Sequence, residues 1–311
     1  MDQQSWNLLV QAYAPPFGAF LQSWEWGEFQ RSLGREVIRV QQETDGKVML
    51  AQAIRLPLPF GQSYWFVPKG PLGDLEPQIM RAVLRERLKG AAFIRTEGSV
   101  VLPGSVKSKD MHPSTTLVLD MHKGCDGLLM EMHMKTRYNI RLGEKKGVTI
   151  RRAGLDEFET FVDIVKETTE RNDFSAHPSS YYKKMLEMLT GECNAFLVFA
   201  EAEGQVLATN IMIDFLDTRT YLHGASRGVL RNLKAADLLQ FTMINESCLT
   251  GRKYYDFWGI APPDADDNHP WSGITRFKSG FGGHVVQMPG TFDLPTNPLV
   301  YGAYRLSKML R

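Results

Sequence analysis

Alternating apolar and polar positions predict two β-hairpins in widely separated parts of the chain. The first covers residues 37–50 with Asp45-Gly46 at its turn, and the second covers residues 195–208 with Glu203-Gly204 at its turn. An acidic residue followed by glycine can adopt the positive φ angles that a two-residue hairpin turn requires. We therefore expect an antiparallel strand pair in each half of the sequence.

The segments that follow each hairpin repeat the same order of elements. An aromatic-rich strand comes first, then an amphipathic helix, then a second apolar strand. These predicted elements are residues 64–67, 75–89 and 92–95 in the first half, and residues 221–223, 235–249 and 254–258 in the second half. A shared order of this length indicates an internal duplication. We expect an α/β (α+β) fold with two tandem domains, each a mixed, mostly antiparallel sheet flanked by helices.

The seam between the predicted domains lies near residue 112, just before a new apolar strand pattern. We assign residues 1–112 to the first domain and residues 113–293 to the second. The C-terminal segment 294–311 shows a helical pattern that begins at a proline, and we expect it to pack back on the first domain.

Composition and charge narrow the class of protein. Hydrophobic residues make up 43% of the 311 residues and charged residues 23%, which is typical of globular domains and excludes a disordered or fibrous chain. The formal net charge is only +1, so any signal for a polyanionic partner must be local. The sequence has neither an 18-residue apolar run nor the apolar core of a signal peptide. We expect a cytoplasmic protein without a membrane span, and association with a membrane surface stays open.

The cysteine and histidine spacings do not resemble those of metal sites. Cys125, Cys193 and Cys248 are odd in number and far apart, which predicts no disulfide framework and suits a reducing compartment. The seven histidines lack the His-x-x-x-His spacing of a zinc helix. The sequence also has no Gly-x-Ser-x-Gly elbow and no Walker loop. We expect no metal and no cofactor.

The strongest local signal is basic. Residues 133–152 contain seven lysine or arginine residues and one acidic residue, in a chain that is otherwise neutral. Helical spacing places Arg137, Arg141 and Lys145 on one helix face, with Lys135 near its start. Such a face is either simply solvated, or it binds phosphate groups without reading base sequence.

A second signal surrounds Lys278. Trp271, Ile274, Phe277 and Phe281 form an apolar helical stripe, and Lys278 lies at the edge of that stripe. A cation beside a dry surface can stabilise a negative charge that develops during a reaction. The alternative is a lysine whose stem packs on the stripe while its ammonium group reaches water.

The third signal is a polar loop. Residues 171–182 hold Ser175, His177 and the aromatic pair Tyr181-Tyr182 just before a predicted helix. Such a loop suits a sugar or a nucleotide, and it is equally typical of a connection between elements.

Taken together, these segments resemble the Fem-type (FemABX) aminoacyltransferases, which build peptidoglycan cross-bridges. The family has two lobes related to the GNAT acetyltransferases, so the resemblance implies two GNAT-like domains. A compact form without the family's coiled-coil arm is implied, because residues 120–250 contain no sustained heptads. The motifs that carry the resemblance are Lys135-Thr-Arg-Tyr-Asn-Ile-Arg141, Tyr221-Leu-His-Gly-Ala-Ser226, Tyr255-Asp-Phe-Trp-Gly259 and Arg276-Phe-Lys-Ser-Gly-Phe-Gly-Gly283.

The resemblance implies an activity and a set of site residues. The family moves an amino acid from aminoacyl-tRNA to the stem-peptide amine of a peptidoglycan precursor, which is either UDP-linked or lipid-linked. Lys278 matches the family's charge-stabilising catalytic lysine, and the basic segment would bind tRNA or a precursor diphosphate through Lys135, Arg137, Arg141 and Lys145. The residues implied to contact the precursor are Arg31, Ser175, His177, Tyr181, Tyr221, His223 and Arg276.

Two rival functions remain open at this point. An acyl-CoA-dependent GNAT enzyme needs glycines that expose backbone N–H groups to a pyrophosphate, but Lys234 stands where the first of these glycines belongs. A non-catalytic module that binds nucleotide-sugars or RNA would keep the basic face and would not need Lys278. No side chain identifies itself as a general base, and three carboxylates, Glu97, Asp256 and Asp264, remain candidates.

Overall fold

The protein contains two compact α/β units. The computed structural model describes residues 1–172 and 176–309. Residues 1–114 and the C-terminal segment from residue 287 form the first unit, and residues 115–286 form the second. Each unit has one mixed β-sheet with helices packed on it. The predicted fold class is therefore confirmed.

The helices and strands follow one another in chain order. The first unit begins with α1 (Gln3–Tyr13), α2 (Trp24–Ser32), β1 (Val37–Thr44), β2 (Lys47–Pro57), β3 (Ser63–Val67), β4 (Leu72–Gly73), α3 (Pro77–Arg87), β5 (Phe93–Thr96) and β6 (Val106–Lys107). The second unit contains β7 (Thr115–Asp120), α4 (Gly124–Glu131), α5 (Met134–Lys145), β8 (Thr149–Ala153), α6 (Phe158–Asn172), α7 (Ser179–Met188), β9 (Cys193–Ala202), β10 (Gln205–Phe215), β11 (Thr218–Ser226), α8 (Ala235–Leu249), β12 (Tyr254–Gly259), α9 (Ser272–Ser279) and β13 (His284–Gln287). The first unit is completed by β14 (Phe292–Pro295) and α10 (Pro298–Met309). None of these helices, within the described residues, is long and apolar enough to cross a membrane.

Both predicted hairpins are present. Strands β1 and β2 pair through the turn Asp45-Gly46, and strands β9 and β10 pair through Glu203-Gly204. All four turn residues have positive φ angles between 52° and 75°. This geometry matches the right-handed twist of the flanking strands and explains why an acidic residue and glycine stand there.

Six strands follow the same order in the two sheets, which confirms the predicted duplication; β4 of the first sheet and β8 of the second are additions to this shared order. The strand orders are β1-β2-β3-β5-β14-β6 in the first unit, where β4 also pairs with β2, and β8-β9-β10-β11-β12-β7-β13 in the second. In each sheet the strand after the hairpin runs parallel to the strand after the next long helix, as β3 does with β5 and β11 with β12. The next strand in each sheet comes from a different part of the chain, since β14 pairs with β5 and β7 pairs with β12.

The predicted end of the second domain, at residue 293, is too late. Phe292 and Asp293 of β14 pair with Thr96 and Arg95 of β5, so the chain has rejoined the first unit before residue 294. The Arg95 guanidinium also donates to the buried Asp293 carboxylate at 2.7 Å. A charge-assisted hydrogen bond of this kind fixes the register of the returning strand.

The second unit packs its helix α5 closely on α8. Gly143 makes this approach possible, because a Cβ atom at that position would lie 3.2 Å from Leu238 Cβ and 3.3 Å from the Leu233 carbonyl oxygen. Thr136 and Ile140 are buried on the same helix. The basic residues of α5 therefore stand on a helix whose other face is fixed in the core.

The expectation that the cysteines stay unpaired is wrong for two of them. Cys125 on α4 and Cys248 on α8 form a disulfide with a Cα–Cα distance of 5.8 Å, and Cys193 is a buried free thiol. The two cysteines are 123 residues apart in the sequence. Only the packing of α4 against α8 brings them together, and sequence spacing does not reveal that packing.

Candidate functional site

A pocket of about 270 Å³ opens in the second unit beside strand β11. Side chains from α6, α7, β11 and α9 form its walls, so one bound molecule can contact several elements. Three of the residues selected from the sequence, Tyr221, His223 and Lys278, line this pocket. The lining residues are Val165, Thr168, Ala176, Tyr182, Tyr221, Leu222, His223, Gly224, Ala225, Trp271, Ile274 and Lys278.

A β-bulge in β11 shapes one wall of the pocket. Residues 221 and 223 pair with adjacent residues of β10, so Leu222 has no partner across the ladder. Bulges re-aim side chains and are common beside active sites. The strand in consequence presents the consecutive residues 221–225 to the pocket. The Tyr221 hydroxyl lies over Gly224, where a Cβ atom would stand only 1.9 Å from it.

Lys278 is the one lysine among the described residues that line the pocket. Its side chain is 6% exposed, and its Nζ atom donates a hydrogen bond to the Gly259 carbonyl oxygen at 2.6 Å. Nζ also lies 5.4 Å from the centre of the Tyr221 ring, within range of a cation–π interaction. Burial lowers the pKa of Lys278 to about 7, while the Asp256 carboxylate opposes part of that shift. A lysine in this state can carry a positive charge or lose it close to neutral pH.

The apolar stripe predicted around Lys278 divides between two roles. Phe281 is buried and Phe277 packs with it against the core of the unit. Trp271 and Ile274 are exposed and line the pocket beside the lysine. Lys278 therefore does not extend its ammonium group into bulk water. The apolar side chains beside it belong either to the pocket wall or to the core of the second unit.

The aromatic rings of Tyr182 and His223 line the pocket, and the rings of His177 and Tyr181 pack beside them. The rings of Tyr182 and His223 meet edge to face at 4.9 Å, and the His177 and Tyr181 rings stack at 4.3 Å. The His177 backbone N–H donates to the Tyr182 hydroxyl at 3.1 Å, which joins the two pairs. Stacked rings of this kind suit the flat faces of a base or a sugar. Ser175, the other loop residue selected from the sequence, lies outside the described residues.

The titration of the ring groups that line the pocket leaves Tyr182, Tyr221 and His223 uncharged at neutral pH. Burial, with a smaller contribution from His177, lowers the pKa of His223 to about 3. Burial raises the pKa of Tyr221 to about 12 and also raises the pKa of Tyr182. A neutral imidazole and neutral phenols can orient a polar substrate by hydrogen bonds without adding charge.

A second cavity adjoins the first. Its volume is about 500 Å³, and it lies between α6 and α7. Val165, Ala176 and Tyr182 line both cavities, so these side chains form the partition between them. His177 and Lys166 provide polar groups in a lining that also contains Phe161 and Val162.

Sequence reasoning selected Tyr181 but missed Tyr182. Tyr182, Met185 and Leu186 are the buried residues of α7, at spacings that place them on one helix face. Tyr181 falls outside that face and is only half-buried. The inward position of Tyr182 could have been found from this spacing.

The basic helix α5 presents an open charged face. Lys135, Arg141 and Lys145 are exposed, and the described residues include no ion pair for any of them. Exposed cations that form no ion pair remain available to a polyanion. We call Lys135, Arg141 and Lys145 the open basic face. These three residues of the predicted phosphate-binding set are exposed and form no ion pair with any described residue.

Arg137, the fourth predicted phosphate ligand, has a different environment. Its Nη1 atom donates to the carbonyl oxygens of Met130 and Met132 at 2.9 and 2.7 Å, with a longer contact to Leu129. These carbonyls belong to the end of α4, where helical carbonyls lack partners of their own. Arg137 therefore caps α4, and we leave it out of the proposed phosphate-binding set.

The start of α8 differs from a pyrophosphate cradle. Lys234 takes a left-handed conformation with φ of 58° immediately before the helix. The Asp237 carboxylate stands in the first turn and accepts a hydrogen bond from Asn139 at 3.0 Å. Burial raises the pKa of Asp237. An acidic group at this helix end competes with a bound phosphate for the same backbone N–H groups.

Two of the predicted substrate contacts, Arg31 and Arg276, do not line the pocket. Arg31 is in the first unit, where it donates to Glu28 at 2.7 Å and to the Val37 carbonyl oxygen at 3.0 Å. Arg276 is exposed on α9, two residues before Lys278, and does not line the described pocket.

The three candidate general bases are not in the pocket lining. Asp256 is fully buried, and Asp264 is exposed in the loop before α9. Glu97 lies in the first unit, where burial raises its pKa but His112 and Lys69 outweigh that effect and lower the pKa to about 2. Among the residues that the structure describes, no cluster of His, Cys, Asp and Glu could hold a metal ion.

Comparison with known proteins identifies the family. The model of the FemAB family matches residues 105–203 and 191–309. The chain belongs to the FemAB family. The matched residues include the whole pocket lining, α5 and Lys278, while Arg31 lies outside them.

Individual curated proteins and solved structures show how far the likeness extends. The Lipid II:glycine glycyltransferase of Staphylococcus saprophyticus is 24% identical across 62% of this chain and 61% of the relative, so the chain spans about three fifths of that relative's length. A crystal structure of FemX superposes with a TM-score of 0.83 at 20% identity, covering 97% of this chain and 98% of that one. A tandem GNAT protein from the clavulanic acid biosynthesis pathway gives a TM-score of 0.51 at 14% identity over 82% of each chain. These two structures confirm the predicted tandem GNAT-like fold.

Proposed function

We propose that this FemAB protein is an aminoacyltransferase that moves an amino acid from aminoacyl-tRNA to the stem-peptide amine of a peptidoglycan precursor. The single observation that carries this proposal is the buried Lys278 ammonium group in the wall of the pocket, bonded to the Gly259 carbonyl oxygen at 2.6 Å. A buried cation is costly to keep. A FemAB enzyme has a use for it, since acyl transfer creates a negative charge that must be stabilised.

The chemistry assigns one clear role to Lys278. The precursor amine attacks the ester carbonyl of the aminoacyl-tRNA, and the carbonyl oxygen becomes an oxyanion. As the intermediate collapses, the new C–N bond is kept, the ester C–O bond breaks, and the proton lost by the amine ends on the ribose oxygen. Lys278 stabilises the oxyanion, and one preorganised donor of this kind contributes about 3–4 kcal/mol to lowering the barrier.

The size and lining of the pocket suit the reacting ends of two large substrates. A volume of about 270 Å³ holds an aminoacyl group and the end of a stem peptide, while the remainder of each substrate lies outside. Holding both ends in one small site lowers the entropic cost of their reaction. The uncharged rings of Tyr182, Tyr221 and His223 orient the acceptor beside Lys278.

Different observations support the proposed donor and the proposed acceptor. The open basic face of α5 supports a tRNA donor, because exposed cations bind a phosphate backbone whatever its sequence. The name of the Staphylococcus saprophyticus relative, Lipid II:glycine glycyltransferase, supports a lipid-linked acceptor. A UDP-linked precursor would present the same stem-peptide amine, so both acceptors belong in the test.

An acyl-CoA donor is the second candidate, and the structure of the α8 start argues against it. The left-handed Lys234 and the Asp237 carboxylate occupy the region where a CoA pyrophosphate would need bare N–H groups. Calorimetry with acetyl-CoA is therefore expected to detect no binding at micromolar concentrations. Tight binding would reverse the order of the two candidates.

The decisive experiment is transfer with defined donors and acceptors. The protein is incubated with a mixed pool of charged tRNAs and either a UDP-muropeptide or lipid II, and products are analysed by mass spectrometry. An acceptor heavier by one aminoacyl residue is the expected result. Its mass identifies the amino acid, and the acceptor that reacts faster identifies the carrier.

Substitutions of two lysines test whether transfer takes place in the pocket. Lys278→Met is expected to lower kcat by about 10²–10³-fold, with a small effect on precursor binding. Lys183→Met is the matched control, because Lys183 is exposed on α7 and does not line the pocket. Precursor binding without transfer by the parent protein would favour a non-catalytic binding module, and undiminished transfer by Lys278→Met would remove the lysine from the mechanism.

A further inference from the structure

Strand β12 contains a bulge next to the carbonyl group that binds Lys278. Asp256 pairs with Val118 and Gly259 pairs with Thr116, so two residues of β12 stand opposite one residue of β7. Trp258, inside the bulge, has a φ of 61°, which is rare for a bulky residue. Backbone strain of this kind persists only where surrounding groups hold it in place.

The buried Asp256 carboxylate holds this bulge. Its Oδ1 atom accepts the Trp258 backbone N–H at 2.8 Å. The Thr116 hydroxyl lies 2.5 Å from the same oxygen and 2.9 Å from the Trp258 carbonyl oxygen. The carboxylate oxygen thus holds the N–H side of the left-handed residue, and the Thr116 hydroxyl of β7 contacts both that oxygen and the carbonyl side. The next residue along the chain, Gly259, provides the oxygen that accepts from Lys278.

Asp256 also differs in charge from the other groups around Lys278. Tyr221 and His223 of β11 and Tyr182 of α7 are the other titratable groups that line the pocket with Lys278. Burial makes the two tyrosines less acidic and His223 less basic, so all three are neutral at pH 7. Asp256 is the carboxylate whose charge favours the protonated lysine.

We propose that Asp256 is a positioning residue for the transfer reaction: it aims the Gly259 carbonyl at Lys278 through the bulge, and its negative charge favours the ammonium form of the lysine. This inference rests on the proposed function. Asp256 is fully buried and does not line the pocket, so it acts through Lys278 and not on the substrate. Burial lowers the pKa of Lys278, and the Asp256 carboxylate, by opposing that shift, extends to higher pH the range in which the ammonium group is available to an oxyanion.

The principal test is the pH profile of Asp256→Asn. Asparagine keeps an oxygen that can accept from Trp258 and Thr116, but it removes the charge. Transfer by the parent should decline as pH rises through the pKa of Lys278, and Asp256→Asn should move this alkaline limb about one pH unit lower. At pH 8 we expect about tenfold slower transfer than the parent, and near-parental transfer at pH 5.5. Equal loss at every pH would indicate a merely structural role and would overturn the inference.

Two further variants separate charge from geometry. Thr116→Val keeps the shape of the side chain and the Asp256 charge but removes the hydroxyl, so we expect at least fivefold lower kcat with an unmoved alkaline limb. Asp163→Asn is the matched control, because Asp163 is exposed on α6 and does not line the pocket. Parental transfer rates in Thr116→Val would show that this contact does not position the lysine.

A titration by carbon-13 NMR makes the result independent of transfer. The protein is labelled at lysine Cε, and the Lys278 resonance is assigned by its absence in Lys278→Arg. A lower Lys278 pKa in Asp256→Asn than in the parent is expected even if no substrate pair reacts, so failure of the proposed function remains distinguishable. An unchanged pKa would overturn the inference. If Asp256→Asn lacks a cooperative unfolding transition, Thr116→Val decides the matter: a shifted Lys278 resonance supports positioning, and a resonance identical to that of the parent overturns it.

Discussion

The Lys278 ammonium group and the Gly259 carbonyl oxygen are 2.6 Å apart inside the second unit. This hydrogen bond uses one of the three N–H donors of the ammonium group, and Lys278 lines the pocket, so the other two donors can serve a substrate bound there. A buried lysine with one fixed acceptor has few orientations open to it. The arrangement therefore favours a lysine that is ready for an incoming oxyanion over one that must first reorganise.

Burial of Lys278 should reduce the stability of the protein at neutral pH. The pKa of Lys278 falls from the ordinary 10.5 to about 7, so between these values the unfolded chain binds more protons than the folded chain. The stability deficit is therefore largest below pH 7 and disappears as pH approaches 10.5. We expect Lys278→Met to raise the free energy of unfolding by about 1–3 kcal/mol at pH 7 and by less at pH 10. Urea unfolding at both pH values measures this difference.

Lys183→Met again provides the comparison, since exposed Lys183 has no burial cost to recover. A Lys278→Met protein that is less stable than the parent at pH 7, or whose advantage grows with pH, would contradict the expected sign.

Reversing the charge of the open basic face should weaken tRNA binding in a salt-dependent manner. The double variant Arg141→Glu/Lys145→Glu removes two cations, so the slope of log K against log salt should decrease by about 2. Filter binding of charged tRNA across a range of salt concentrations measures the slope. The double variant Arg85→Glu/Arg87→Glu on α3 of the first unit is a control of equal charge change on an exposed helix. If both double variants alter binding equally, the α5 face has no specific role.

Arg137→Ala should affect stability more than binding. The substitution leaves the Met130 and Met132 carbonyl oxygens at the end of α4 without their donor. Hydrogen bonds from a charged group contribute about 1.5–3 kcal/mol each when buried, and partial exposure here reduces the expected total loss to about 1–2 kcal/mol. Thermal unfolding and the tRNA salt slope, measured on the same variant, test the assignment. A reduced slope at parental stability would return Arg137 to the phosphate-binding set.

Gly224→Ala should disturb the pocket through Tyr221. The added Cβ atom would lie 1.9 Å from the Tyr221 hydroxyl, so the ring must move out of its place in the pocket wall. We expect acceptor KM to rise about tenfold and stability to fall by about 1–3 kcal/mol. Gly273→Ala on α9 is the control, because a Cβ atom there meets nothing within 4 Å. That variant should gain about 0.5–1 kcal/mol from helix propensity, and parental KM in Gly224→Ala would show that Tyr221 does not orient the acceptor.

Much of the fold could be predicted from local signals. The turns at Asp45-Gly46 and Glu203-Gly204 determine short-range backbone geometry, so both hairpins were visible in the sequence. The return of β14 to β5 depends instead on a tertiary ion pair, Arg95 with Asp293. The Cys125–Cys248 disulfide depends on the packing of α4 against α8. Neither the ion pair nor the disulfide produces a periodic pattern in the sequence, so neither could be predicted from it.

The sequence predicted which residues belong to the candidate site better than it predicted how they are arranged. The family resemblance selected Lys278, Tyr221 and His223, and the structure places all three around one pocket. The bulge at Trp258 was not visible, because a one-residue shift in strand register has no compositional signature. The environment of Arg137 was not visible for a related reason. Helical spacing places it on the same face as Arg141, but its guanidinium group donates to carbonyl oxygens at the end of α4.

The two units become complete at different times during synthesis, because β14 of the first unit comes from the C-terminal segment, whereas β7 lies within the continuous second unit. Residues 115–286 form the second unit without interruption, so this unit can acquire its complete sheet as soon as it has left the ribosome. The first 114 residues emerge earlier, but their sheet lacks its β14 strand until residues 292–295 are made. The unit that is translated first is therefore the one that is finished last, and its β5 strand lacks its β14 neighbour until the whole second unit has been made.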